Sequence, residues 1–201
     1  MTKAEILSTI LGEASSLFAA QGYSAVSMRD IAKQLGMTPA NLYYHFKDKE
    51  DLVLSSLAYV FEGKMCMLDD IVARYDDPLK RLEMVITWFS TLLFEDEIFS
   101  RLLYRELLEN DDARMKFLSS EVFQKPFSLL VQILGDCVQT EDPALLVVSV
   151  VSLIIGHIQV AKVLKHLKEN KPEYNRPEML TRHVMEAILH LAKPADAGRT
   201  A

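Results

Sequence analysis

The chain is predicted to be all-α and built in two parts. A small N-terminal group of three helices is joined by a continuous helix to a larger C-terminal helical domain, with about nine helices in all. Apolar residues recur at helical spacing through most of the 201 residues, and strand-like alternation bounded by turn residues is missing. Helix-starting punctuation also recurs, at Ser27, Thr38, Asp48, Asp77-Pro78 and Asp142-Pro143. The expected boundaries are 1–50 for the first domain and 51–193 for the second, with a disordered tail at 194–201.

The first helix runs from about Lys3 to Gln21, with Ile6, Ile10, Leu17 and Phe18 on one broad apolar face, and Gly22 ends it. Ser27 caps a second helix, and Asp30 supplies the acidic side chain that answers the cap. Ile31, Ala32 and Leu35 share one side, and Gly36 gives the backbone freedom for a sharp stop. Thr38 caps a third helix, with Pro39 where a missing N–H costs nothing. Leu42 and Phe46 form its one buried edge, which leaves Ala40, Asn41, Tyr43, Tyr44 and His45 facing outward. Two short helices about a tight turn match a helix-turn-helix, whose second helix enters the major groove of DNA.

The run GMTPANLYYHFKDKEDL, with GYSAVSMRDIA just before it, closely resembles the N-terminal signature of the TetR/AcrR family of transcriptional regulators. The match covers Ile6 to Leu52, with Gly22-Tyr23, Ile31-Ala32, Gly36, Leu42-Tyr43, Phe46 and Lys49 in register. The resemblance implies a dimeric DNA-binding regulator, a repressor released from a palindromic operator by a small molecule bound in the C-terminal domain. Carried over residue by residue, it places Thr38, Tyr43, His45 and Lys49 at phosphates and Pro39, Ala40 and Tyr44 at base edges. Asn41 takes either role, and Arg29 reaches phosphate or guanine. Elementary chemistry agrees: of these side chains Arg29 alone can make a bidentate contact to guanine.

A fourth helix starts at Asp48, with Asp51 as capping partner, and is expected to run to about Arg74, nearly ~40 Å. Without a linker before it, it reads as a rigid connector in which Gly63 is either tolerated or a point of give. Asp77-Pro78 starts a fifth helix, a sixth covers about Asp96 to Glu109, and Asn110-Asp111 breaks and restarts the chain. Pro126 predicts a kink or two segments within Met115 to Val138. From Ala144 to Ile155 only Ser149 and Ser152 interrupt an apolar run, so this helix needs cover on every side. With the last helix, about Pro177 to Ala192, it predicts a four-helix homodimer interface through Val148, Val151, Ile155, Ile158, Val184, Ile188 and Leu191. A fully buried central helix in a monomer is the alternative.

The formal charge is −6, yet Ser27 to Lys49 holds four basic residues against two acidic ones. A small basic footprint on an acidic body fits short-site recognition better than strong nonspecific binding. Cys66 and Cys137 lie far apart with no second thiol nearby, which argues against a disulfide scaffold or a Cys-based metal site and suits a reducing cytoplasm. The N-terminus lacks the run of a signal peptide, and His157, Gln159 and Lys162 interrupt the best candidate for a membrane span. A soluble cytoplasmic protein is expected, nucleoid-associated when bound to its operator, with no membrane partner. Phosphate loops, nucleophile elbows and clustered His/Cys ligands are missing, so no enzyme, catalytic residue, cofactor or metal is expected.

Trp88, Phe89, Tyr104, Phe117, Phe123, Phe127 and His157 are candidates for lining the effector pocket that the resemblance implies. Each also has a plain structural reading, the aromatics as core and His157 as a satisfied core or interface histidine. Arg105-Glu106 either reaches a ligand or forms intrahelical surface. The expected partners are double-stranded operator DNA, a second copy of the chain and a small apolar or amphipathic effector. A rival reading is a DNA-bound adaptor whose C-terminal domain binds a protein, which exposed apolar surface outside the dimer helices would favour.

Overall fold

Ser27, Thr38, Asp48, Asp77, Asp111 and Asp142 each accept a backbone N–H at a helix start. A computed structural model describes residues 2–191 and 193–194, with side chains to residue 190; the expected tail beyond 194 and the side chain of Leu191 lie outside the described residues. The described helices are α1 (Lys3–Gln21), α2 (Met28–Gln34), α3 (Pro39–His45), α4 (Lys49–Met65), α5 (Met67–Arg74), α6 (Pro78–Glu95), α7 (Glu97–Glu109), α8 (Asp112–Phe117), α9 (Gln124–Cys137), α10 (Pro143–Leu164) and α11 (Pro177–Leu191). A π-helical turn at Leu118–Phe123 joins α8 to α9, and a 3-10 turn at Pro172–Asn175 precedes α11. The described residues are all-α apart from a two-residue antiparallel pairing of Val138–Gln139 with Lys193–Pro194.

By packing, the chain divides into two compact units. The first takes the chain up to Cys66 together with Glu97–Gln124, so α7 and α8 join the three N-terminal helices and α4. Its core is α1 against α4 and α7, with Ile10, Phe18, Leu57, Phe61 and Phe99 buried. Phe61 meets Phe99 edge-on at 5.0 Å between centroids and Phe123 at 5.6 Å. The second unit takes Met67–Asp96 and the chain from Lys125 onward, with α6 packed on α11 and both touching α10.

Two expectations need correction. The helix predicted to continue to Arg74 stops at Met65, and α5 restarts at Met67. Gly63 weakens the helix just before this point, and the Cys66 thiol donates to the Gly63 carbonyl across the break. Ile158, Val184 and Ile188, expected on a dimer surface, are buried inside the second unit. Both of their helices are apolar on more than one face, and these residues lie on the face that the chain covers itself. Val151 and Ile155 are partly covered, while Val148 is exposed. The Pro126 kink takes the form of the π turn: without an N–H, Pro126 offers no partner to the carbonyl four residues back, and the widened turn lies just ahead of it.

By length and composition α10 is able to cross a membrane, despite His157, Gln159 and Lys162. Less than a third of its most apolar window is buried in the chain. Leu145 (62% exposed), Val148, Leu153, Val160 and Val163 (60%) form its uncovered apolar row.

Candidate nucleic-acid interface

The turn between α2 and α3 is built from backbone hydrogen bonds around one glycine. Gly36, at φ 65°, donates to Lys33, and Met37 donates to Ala32, the paired bonds that close a helix end when one residue adopts a left-handed conformation. At the other end of α2, Asp30 accepts from the Ser27 N–H (2.9 Å) and Ser27 Oγ accepts from the Asp30 N–H (3.3 Å). The Ser27 hydroxyl and then its backbone N–H hold the Asp30 carboxyl below its ordinary value of 3.8. Thr38 Oγ1 accepts from the Asn41 N–H at 3.3 Å and starts α3.

Leu42 and Phe46 anchor α3, and the opposite face is open. Tyr43 is 53% and Tyr44 80% exposed. Arg29, Thr38, Pro39, Ala40 and Asn41 are exposed as well, while His45 and Lys49 are half-buried. The Tyr44 and His45 rings meet edge-on, 5.1 Å apart. Lys49, the first residue of α4, lies with Nζ 4.0 Å from the centroid of the Tyr23 ring. Its helix is started by Asp48, which accepts from the Asp51 N–H, while the Asp51 carboxylate turns to the Lys47 N–H.

Beside Tyr23 is a charged cluster of which sequence reasoning singled out only Arg105-Glu106. Arg105 donates to the Ala19 and Ala20 carbonyls, both at 3.2 Å, and so satisfies the open end of α1. Arg114 is buried against Glu106 at 2.8 Å and reaches Glu109 at 2.7 Å. Burial pushes the Glu106 carboxyl above its ordinary value although Arg114 opposes this. Arg105 and Glu106 stand with Tyr23, Leu57 and Leu102 in the wall of a small cleft of about 10 Å³. The one signal in the sequence was the open pairing Arg105-Glu106; Arg114, between Ala113 and Met115, has no spacing that marks it as buried.

The effector candidates divide between the units. Tyr104, Phe117 and Phe123 belong to the first, and Trp88, Phe89, Phe127 and His157 to the second. Burial raises the Tyr104 phenol above its ordinary value. Phe123 packs on Phe61, and none of the seven lines the cleft just described. His157 Nε2 lies 3.2 Å from the Tyr174 carbonyl, to which it donates, and its ring is 6.3 Å from that of His183.

A turn-linked helix pair, buried on one edge and polar-aromatic on the other, within an otherwise helical chain, defines a helix-turn-helix DNA-binding regulator. Residues 10–55 match the family model described as bacterial regulatory proteins, tetR family. The nucleoid occlusion factor SlmA of a Marinomonas species is 25% identical over 156 residues, 75% of this chain and 79% of that protein. The HTH-type transcriptional repressor KstR2 of Mycobacterium tuberculosis is 35% identical over 74 residues, which span 37% of each chain. The transcriptional regulator FadR of Bacillus subtilis, solved in complex with stearoyl-CoA, shares the fold with a TM-score of 0.73 at 19% identity, over 89% of this chain and 95% of that one. The match at residues 10–55 and the relatives support a TetR-family transcriptional regulator.

Proposed function

We propose that this chain is a dimeric repressor that reads a palindromic operator in the cytoplasm and releases it when a small apolar or amphipathic effector binds. The observation that carries the reading is the open face of α3, where Tyr43 and Tyr44 stand in solvent while Leu42 does the packing. Arg29, Thr38, Pro39, Ala40, Asn41, Tyr43, Tyr44, His45 and Lys49 are the inferred contacts. The likeness to the repressor KstR2 falls within a short stretch and supports the sign of regulation. A second copy laid on the apolar row of α10 would cover it and bring two α3 helices to one duplex, ~34–36 Å apart. The fold shared with a regulator that holds stearoyl-CoA supports an amphipathic effector. The functional division inferred, reading at 1–50 and control at 51–193, differs from the division by packing, in which α4, α7 and α8 join the reading head. For release to work, the effector must bind one spacing of the two heads better than the other.

Selection of duplexes from a random-sequence library by the full-length protein tests this. An enriched inverted repeat is expected, with Arg29→Ala and Tyr44→Ala each weakening its binding about 5- to 150-fold while sedimentation stays dimeric. No enriched sequence, or wild-type binding in both variants, sinks the reading. Exposed Leu107 and Leu108 on α7, together with the likeness to a nucleoid occlusion factor, favour the second reading of a DNA-bound adaptor for a protein partner. On that reading long-chain acyl-CoA leaves the affinity for the selected duplex unchanged.

A further inference from the structure

Tyr23 lies in the turn between α1 and α2, outside the row of inferred DNA contacts, yet charged groups converge on it. Lys49 Nζ stands 4.0 Å from its ring centroid, and the Arg114 guanidinium carbon 5.2 Å. Burial, and after it the carboxylate of Glu50, the residue next to Lys49, raise its phenol above the ordinary value. Phe18 packs beside the ring at 6.4 Å. Arg114 is itself fixed, being buried and paired with Glu106 and Glu109. The ring is thus flanked by a core aromatic and a buried guanidinium, and it presents its face to a half-buried lysine.

A lysine has a flexible four-carbon stem and normally gives up its rotamer freedom only on meeting a phosphate. Over a fixed aromatic face the ammonium is already confined, and its N–H groups that point away from the ring remain available. We propose that Tyr23 is a positioning residue for DNA binding, holding the Lys49 ammonium ready for a backbone phosphate while the Arg114 cluster holds Tyr23. The proposal rests on the reading of Lys49 as a phosphate contact and does not require Tyr23 to touch DNA.

The test is the salt dependence of binding of the full-length protein to the selected duplex. Each phosphate neutralised contributes about −0.9 to the slope of log affinity against log salt concentration. Lys49→Ala is expected to flatten the slope by about 0.9 per bound protomer. Tyr23→Leu is expected to flatten it equally, with affinity down about three- to five-fold, and the double variant to go no further than Lys49→Ala alone. Tyr23→Phe keeps the ring and the wild-type slope. A ring-fluorinated phenylalanine at position 23 keeps the shape, loses the negative face and flattens the slope without unfolding, which settles the matter if the leucine variant does not fold. A slope that falls for Lys49→Ala but holds for both ring-deficient variants overturns the proposal, as does tighter binding in either of them. An unchanged slope in Lys49→Ala overturns the phosphate reading itself.

Discussion

Arg114 is a buried cation among carboxylates, with Glu106 at 2.8 Å, Glu109 at 2.7 Å and Asp111 at 3.9 Å. Burial raises the Glu106 pKa above its ordinary 4.5, so the native state holds that proton more tightly than the unfolded chain does. This group therefore favours the fold most at low pH, and its contribution falls as pH rises from 4.5 through the raised native value. Arg114→Met would leave the carboxylate buried without its cation and is expected to cost about 3–5 kcal/mol at pH 7. The loss should shrink as the pH is lowered and Glu106 takes a proton, and Glu106→Gln in the same background should recover most of it. Urea unfolding at pH 7 and pH 5 measures both, and a deficit independent of pH would assign the effect to packing. Gly22 supplies a second residue-level test. It adopts φ 86° and ψ 160°, and an added Cβ would stand 2.8 Å from Arg105 Nη1. Gly22→Ala should cost about 1–3 kcal/mol in backbone strain, read by thermal unfolding, and should displace Arg105 from the end of α1.

At the scale of elements, the caps are the most legible features. The Ser27–Asp30 exchange is local, three residues long, and was readable directly from the spacing. Because the native Asp30 pKa is depressed, its contribution to α2 is complete above the ordinary 3.8 and is lost as pH falls through the native value. Ser27→Ala should return the Asp30 pKa toward 3.8, seen by NMR titration of the side-chain carboxyl carbon, and should lower the melting temperature; an unmoved pKa would disprove the hydroxyl as its cause. Helix breaks were less legible. The apolar period runs through Cys66 without a phase change, so one non-helical residue leaves no mark on it, and Gly63 was compatible with either outcome. Pro126 announced a disturbance because it lacks an N–H, but whether the chain would kink or widen into a π turn depended on what it packs against.

At the scale of the molecule, the proposed dimer is tested on the uncovered apolar row of α10. Val160→Glu, on the uncovered row, is expected to leave a folded monomer with weakened binding to the selected duplex. Val184→Glu, fully buried within the chain, is expected instead to unfold the protein, since an unpaired carboxylate there costs several kcal/mol. Sedimentation velocity and circular dichroism separate the two outcomes, and a dimeric Val160→Glu protein would exclude this row as the interface. The sequence alone determined the helical class, the helix-turn-helix and its outward residues, and the family resemblance, because each rests on local spacing and on side chains that act within one turn of themselves. Only the tertiary structure decided which apolar face of α10 and α11 the chain keeps for itself, and that Arg105 and Arg114 bind α1, Tyr23 and Glu106. Periodicity marks a face as apolar and a residue as charged. The neighbour that covers the one or neutralises the other comes from a distant part of the chain, 85 residues away for Arg105 and Ala20, and no local spacing encodes it.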